Sequence, residues 1–209
     1  MAIMANDTGG GGDFSPVPMG THFAVCDMVV DLGRQKISSP QFGDSIKHQI
    51  YLRWQIPAER VTWKDGDVEK EGPAVIGKTY TLSLGEKANL RKDLQAWRGR
   101  TFTADELRGF DVTCLAGIPA MVTVTHTEKD GRTYANIASL GGIPKGAEKP
   151  KLEGDAIVYD ADNQASFERL SKRLQERVQA QILERAADPA TGNPDPDGWR
   201  QELDDEVPF

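Results

Sequence analysis

Two kinds of side chain recur together along this chain: cations that can screen phosphates and flat aromatic rings on which bases can stack. Lys47, Tyr51 and Arg53 alternate onto one face of an extended segment, with Trp54 beside them and Trp63-Lys64 following. The densest cluster lies in residues 90–102, where Arg91, Lys92, Trp97, Arg98, Arg100 and Phe102 fall within thirteen positions. Arg132 and Tyr134, just after Lys129, form a third group. An open groove for an extended polyanion with exposed bases needs this equipment. Trp54, Trp97, Phe102 and Tyr134 are the expected stacking rings. Lys47, Arg53, Arg91, Lys92, Arg98, Arg100 and Arg132 are the expected phosphate contacts. Arg91 and Lys92 beside Arg98 and Arg100 would repel one another without an anionic partner, which favours a groove over a solvated surface. The competing reading of any single ring is a place in the core.

Catalytic equipment is sparse by comparison. His22, His48 and His126 fall in three different segments, without a His or Cys partner at metal-ligand spacing. Nucleophile-elbow, phosphate-loop and dinucleotide-binding motifs are all missing, and Gly9 to Gly12 reads as a linker because Asp13 follows and no helix start does. A Mg²⁺-dependent nuclease would need scattered acids such as Asp27, Asp31 and Asp111 to converge. The expectation is therefore a binding protein with no catalytic residue, no metal and no cofactor. A protein-interaction scaffold without intrinsic affinity for DNA is the alternative.

The elements that must position these residues are mainly β. Alternation predicts strands over residues 21–32, 46–56, 78–84, 120–127 and 132–140, the last two joined by an Asp130-Gly131 hairpin turn. Residues 33–45, rich in Gly, Ser and Pro, read as a loop, and Asp65-Gly66 as a tight turn. A helix is expected over residues 86–97, and a short second one begins after Thr103 as N-cap. Five strands with a helix between the third and fourth is the order of a small OB-type barrel, placed at residues 21–146. Before it, residues 1–20 read as a flexible arm. After it come a linker over 147–162, an amphipathic helix over 163–187 and a disordered acidic tail over 188–209. The helix stripe of Phe167, Leu170, Leu174, Val178 and Ile182 suits docking on the barrel, or self-association into a homo-oligomer.

The net charge of −7 resolves into a neutral body and an acidic end. Residues 1–154 hold 19 basic and 19 acidic side chains, whereas residues 188–209 hold seven acids against Arg200 alone. Cys26 and Cys114 form no Cys-x-x-Cys pair, which fits a reducing compartment. No apolar run approaches the roughly 20 residues of a membrane span, and no signal-peptide pattern opens the chain. A soluble, intracellular protein is expected.

The last six residues, Asp204, Asp205, Glu206, Val207, Pro208 and Phe209, resemble the acidic tip of bacterial and phage single-stranded DNA-binding proteins. Phe209 suits a small apolar pocket, its carboxylate a cation at the rim, and the three acids further cations, while Pro208 limits the entropy lost on docking. A merely solubilising tail accounts for the acids but not for the Val-Pro-Phe end. A second resemblance covers about residues 21–146. Ile46-Lys47-His48-Gln49, Tyr80-Thr81-Leu82-Ser83-Leu84, Leu90-Arg91-Lys92-Asp93-Leu94, Trp97-Arg98-Gly99-Arg100 and Thr133-Tyr134-Ala135-Asn136-Ile137 look like a group of tailed-phage single-stranded DNA-binding proteins with an OB-like core.

The resemblance implies sequence-independent binding and protection of single-stranded DNA in phage replication, recombination and repair, in the cytoplasm of the bacterial host. It also implies recruitment of partner enzymes through the tip. The long helix departs from the bacterial tetrameric pattern, so a tetramer is not implied. The charge of the tail further implies that it competes with DNA for the groove. Deleting residues 188–209 should then tighten DNA binding at low salt, read by titration of a labelled oligonucleotide; unchanged affinity contradicts the competition.

Overall fold

The computed structural model describes residues 16–39, 43–65, 68–160 and 164–182. Residues 1–15 of the expected arm, the end of the 163–187 helix and the whole acidic tail, with its tip from Asp204 to Phe209, lie outside the described residues.

Three long strands come first: β1 (Gly20–Ser39), β2 (Gly43–Asp65) and β3 (Val68–Thr81). Then follow α1 (Asn89–Arg98), α2 (Ala104–Arg108), a 3-10 turn at Val112–Leu115, β4 (Pro119–Lys129) and β5 (Arg132–Gly141). A short β6 (Ile157–Tyr159), a 3-10 turn at Gln164–Arg169 and α3 (Lys172–Gln179) close the described chain. The strands lie in the order β3-β2-β1-β4-β5, every neighbouring pair antiparallel, and β6 runs parallel to β1. The five-stranded path curls into a half-barrel whose end strands, β3 and β5, approach each other.

The concave face is filled by Ile50, Leu52, Trp54 and Ile56 of β2, with Ala74, Ile76 and Tyr80 of β3 and Val122 and Val124 of β4. Helix α1 contributes its buried Leu90, Leu94 and Trp97 to the same core. Its spacing of four and three residues puts these side chains on one face. Gly99, left-handed at φ 66°, ends the helix. Thr103 caps α2 as expected: its hydroxyl accepts from Glu106 N–H while Glu106 accepts from Thr103 N–H. Asp130 and Gly131, at φ 53° and 71°, make the expected turn between β4 and β5.

β1 serves two cores because of a bulge. The register with β2 shifts between Cys26 and Met28, leaving Asp27 as the extra residue. One inserted residue reverses the alternation of a strand. Ahead of it Ala24 and Cys26 face the barrel interior. After it Val29 does so, while Met28, Val30 and Leu32 turn to the convex face. There they meet Tyr159, Leu170, Leu174 and Val178 of the C-terminal segment in a second apolar cluster.

Four expectations need correction. Residues 16–20 are not a flexible arm: Val17 is buried in the barrel core, its carbonyl accepts from His126 Nε2 at 2.7 Å, and Gly20 opens β1. Within the expected loop over 33–45, residues 33–39 and 43–45 are strand: the β1–β2 ladder continues from Gly33 opposite Gln49 to Ser39 opposite Gly43, and residues 40–42 lie outside the described residues. A two-stranded ribbon beyond the core is held by backbone hydrogen bonds and needs no apolar alternation, so its Gly and Ser content misleads. The linker expected over 147–162 is docked in its described part, 147–160, since Ile157–Tyr159 pairs with β1 and Gln55 exchanges two hydrogen bonds with the Glu153 backbone (2.7 and 3.1 Å). The helix expected over 163–187 is, in its described part, two pieces broken at Ser171, whose ψ of 151° is extended. Gln175 donates to the carbonyls of Phe167 and Leu170 at the break, satisfying groups that a continuous helix would have used. Of the two readings of its stripe, the described residues show docking on the sheet.

Candidate nucleic-acid interface

The structure disperses the basic-aromatic cluster. Trp54, Trp97 and Phe102 are 0%, 4% and 7% exposed, so as stacking platforms they are corrected to core residues. Trp54 and Trp97 meet edge to face at 5.7 Å, and Trp97 Nε1 donates to the Pro119 carbonyl at 2.7 Å. The repulsion expected among the arginines is relieved within the chain. Glu106 accepts from both Arg98 and Arg100, and Arg98 lies over the rings of Phe102 and Phe110 at 4.5 and 5.1 Å. These two cations are therefore committed to anchoring α2.

Arg53 is likewise committed. It grips the buried Asp27 through Nε and Nη2 at 2.6 to 3.1 Å, pinning the β1 bulge. Tyr51 packs against the second cluster, with its ring across Gly77; a Cβ there would come within 2.0 Å of the Tyr51 hydroxyl oxygen. Burial pushes the Tyr51 phenol above its ordinary value. Of the remaining expected residues, Lys47, Lys92, Arg132 and Tyr134 are exposed, and Arg91 donates to the Leu84 carbonyl at 3.2 Å. Tyr134 stands 47% exposed on β5. Lys47 lies on β2, Lys92 on α1 and Arg132 on β5, so the fold separates them along the chain's elements.

One open cleft of about 710 Å³ gathers cations that the sequence left apart. Its floor is the convex face of β2 and β3, with Lys47, Gln49, Thr79 and Thr81; Lys78 and Tyr80 edge it, and residues 83–90 form one wall, including Lys87. Lys78 bonds Asp93 at 2.7 Å and lies over the Tyr80 ring, and the Tyr80 hydroxyl donates to the same carboxylate at 2.8 Å. Burial, then Asp93, pushes the Tyr80 phenol far up, so it stays a neutral donor. Lys47 and Lys87 have no ion-pair partner among the described residues. Helix α1 starts at this wall, and its N-cap, Ala88, has no side chain to cap the first N–H groups. Two floor residues are also held from α3: Arg177 donates from Nη1 to Thr79 Oγ1 (3.2 Å) and from Nη2 to Gln49 Oε1 (3.1 Å). Burial, and then neighbouring Arg173, lowers the affinity of Arg177 for its proton.

Lysines, a guanidinium, hydroxyls and an amide along an open trough can hold successive anionic groups. Sequence reading found Lys47 here and missed Lys78, Lys87, Thr79, Gln49 and Arg177. The Lys78-Thr79-Tyr80-Thr81 run and the four-residue spacing of Arg173 and Arg177 were the available signals. Trp63 is 46% exposed on the outer part of the β2–β3 hairpin, its ring against Gly72, whose Cβ would sit 2.9 Å from Trp63 Cη2. The acids weighed for metal chemistry each have their own partners: Asp27 holds Arg53, Asp31 holds His48 at 2.6 Å and Gly33 N–H, and Asp111 caps Thr113. Among the described residues, no group of three or more His, Cys, Asp or Glu side chains is placed to hold a metal ion. Burial pushes the Cys26 thiol up to about 12, and that of exposed Cys114 also upward, so neither favours the nucleophilic thiolate.

No protein-family model matches the chain, and no curated protein matches it. No helix among the described residues is long and apolar enough to cross a membrane.

The Arg98-Arg100-Glu106 knot yields a pH prediction. Arg100 first, then the Thr103 N–H, hold the Glu106 carboxyl down at about 2, against an ordinary 4.5. A depressed acid stabilises the fold above its unfolded value and loses that contribution as pH falls from 4.5 towards 2. Glu106→Gln should therefore melt below the natural protein at about pH 6, and the gap should close as pH falls through about 2. A gap in melting temperature that persists at the acid end contradicts this.

Proposed function

We propose that this chain binds single-stranded DNA without sequence preference, protecting it during phage DNA replication, recombination and repair in the host cytoplasm. The curled half-barrel is read as an OB-like barrel, with the strand running along the cationic cleft on the convex face of β2 and β3. The observation that carries this reading is that cleft: Lys47 and Lys87, without an ion-pair partner among the described residues, beside the amide and hydroxyls of Gln49, Thr79 and Thr81. Phosphates would displace counterions from these cations, so affinity should fall steeply with salt. Contacts to the phosphate backbone carry no base information, which suits indifference to sequence. Tyr134 and Trp63, the exposed rings on hairpins, are available for stacking outside the cleft. The acidic tip from Asp204 to Phe209 then recruits replication and recombination enzymes.

Titration of the full chain with fluorescent poly-dT at two salt concentrations, beside a matched duplex, tests this. Tight, salt-dependent binding that prefers the single strand is expected, weakened several-fold by Lys47→Gln and by Lys87→Gln. Absence of binding, or binding indifferent to both substitutions, contradicts the reading.

A further inference from the structure

The C-terminal segment has an evident structural task, covering the convex apolar patch of Met28, Val30 and Leu32 with Leu170, Leu174 and Val178. That task does not explain Arg177. The residue lies on the same helix, half-buried, and reaches over the sheet to the floor of the cleft. Its two bonds there go to neutral oxygens of Thr79 and Gln49, and among the described residues it has no carboxylate partner. A guanidinium carries five N–H donors in a planar fork, so donors remain beyond the two used. Arg173, one turn earlier and exposed, faces Arg177 closely enough to disfavour its charge. Like charges four residues apart destabilise a helix, and a bound anion reverses that cost. Lys47, two residues from Gln49 on the same face, is a third cation without a counter-ion among the described residues.

We propose that α3 is the second wall of the strand-binding cleft, and that Arg177, assisted by Arg173, seats a backbone phosphate there. The inference rests on the single-stranded DNA reading and extends it: the segment beyond the barrel belongs to the binding site. Hydrogen bonds to Thr79 and Gln49 hold the guanidinium over the floor before any ligand arrives, so little side-chain entropy remains to be lost on binding. The strand would pass between α3 and the wall of residues 83–90.

The test is the salt dependence of oligo-dT binding by the full chain and by Arg173→Gln, Arg177→Gln and Arg177→Lys. Arg108→Gln on α2, where Arg108 pairs with Asp105, is the control. Removing one phosphate contact lowers the slope of log affinity against log salt by about 0.7 for single strands. Arg173→Gln and Arg177→Gln should each show such a loss, with several-fold weaker binding at low salt. Arg177→Lys should restore most of the slope, and Arg108→Gln should leave it unchanged. Exposed Arg173 makes no hydrogen bond among the described residues, so its variant should melt with the natural protein and report on binding alone. If the natural chain binds while both glutamine variants keep its slope, or weaken binding without changing it, α3 is only a cover and the inference falls. If the natural chain does not bind at all, the DNA reading falls first and takes this with it.

Discussion

The ion pair between Asp27 and Arg53 is the constraint on which the rest of the molecule turns. Asp27 is the extra residue of the β1 bulge, 5% exposed, and Arg53 of β2 holds it with two nitrogens. Breaking a buried pair of this kind leaves an uncompensated charge, which costs about 3 kcal/mol or more. The pair thereby fixes where β1 reverses its alternation. Up to Val25, β1 pairs with β4 and helps build the barrel; from Met28 to Val30 its same edge takes β6. Without that switch, Met28 and Val30 would not reach the convex face, and the C-terminal segment would have no apolar surface to cover.

This arrangement determines what stays open. The C-terminal segment covers the convex face over Tyr51 and the Met28-Val30-Leu32 row, and from it Arg177 reaches Gln49 and Thr79 at the neighbouring end of the same face. That end is a trough walled on one side by the residues leading into α1, with two residues of its floor, Gln49 and Thr79, bonded by Arg177. Charge follows the same division. Arg98 and Arg100 are neutralised by Glu106, Arg53 by Asp27 and Lys78 by Asp93, whereas Lys47 and Lys87 beside the trough have no ion-pair partner among the described residues. A chain with a balanced body can thus present one cationic surface.

The period-2 pattern of β2 gave its core face correctly from Ile50 to Ile56, since each of those apolar side chains packs inward. It failed at Ile46 and His48, which alternate in phase but lie exposed on the ribbon beyond the core. Capping chemistry at Thr103 and the Asp130-Gly131 turn were legible because both are local. Partner choice was not. Whether Arg98 faces a phosphate or Glu106 depends on an acid eight residues away, and whether Arg53 faces solvent or Asp27 depends on a neighbouring strand. Density of basic and aromatic residues in the sequence therefore located a knot of core packing, while the open cleft drew its cations from β2, β3, the α1 wall and α3.

We propose that single-stranded DNA lies in the trough between α3 and residues 83–90. Hydrogen–deuterium exchange of the full chain, with and without a saturating oligo-dT, tests it most directly. Slowed exchange in residues 83–90 and in Lys172–Gln179 together is the predicted result. Protection confined to the β4–β5 hairpin, with both of those segments unchanged, would contradict it.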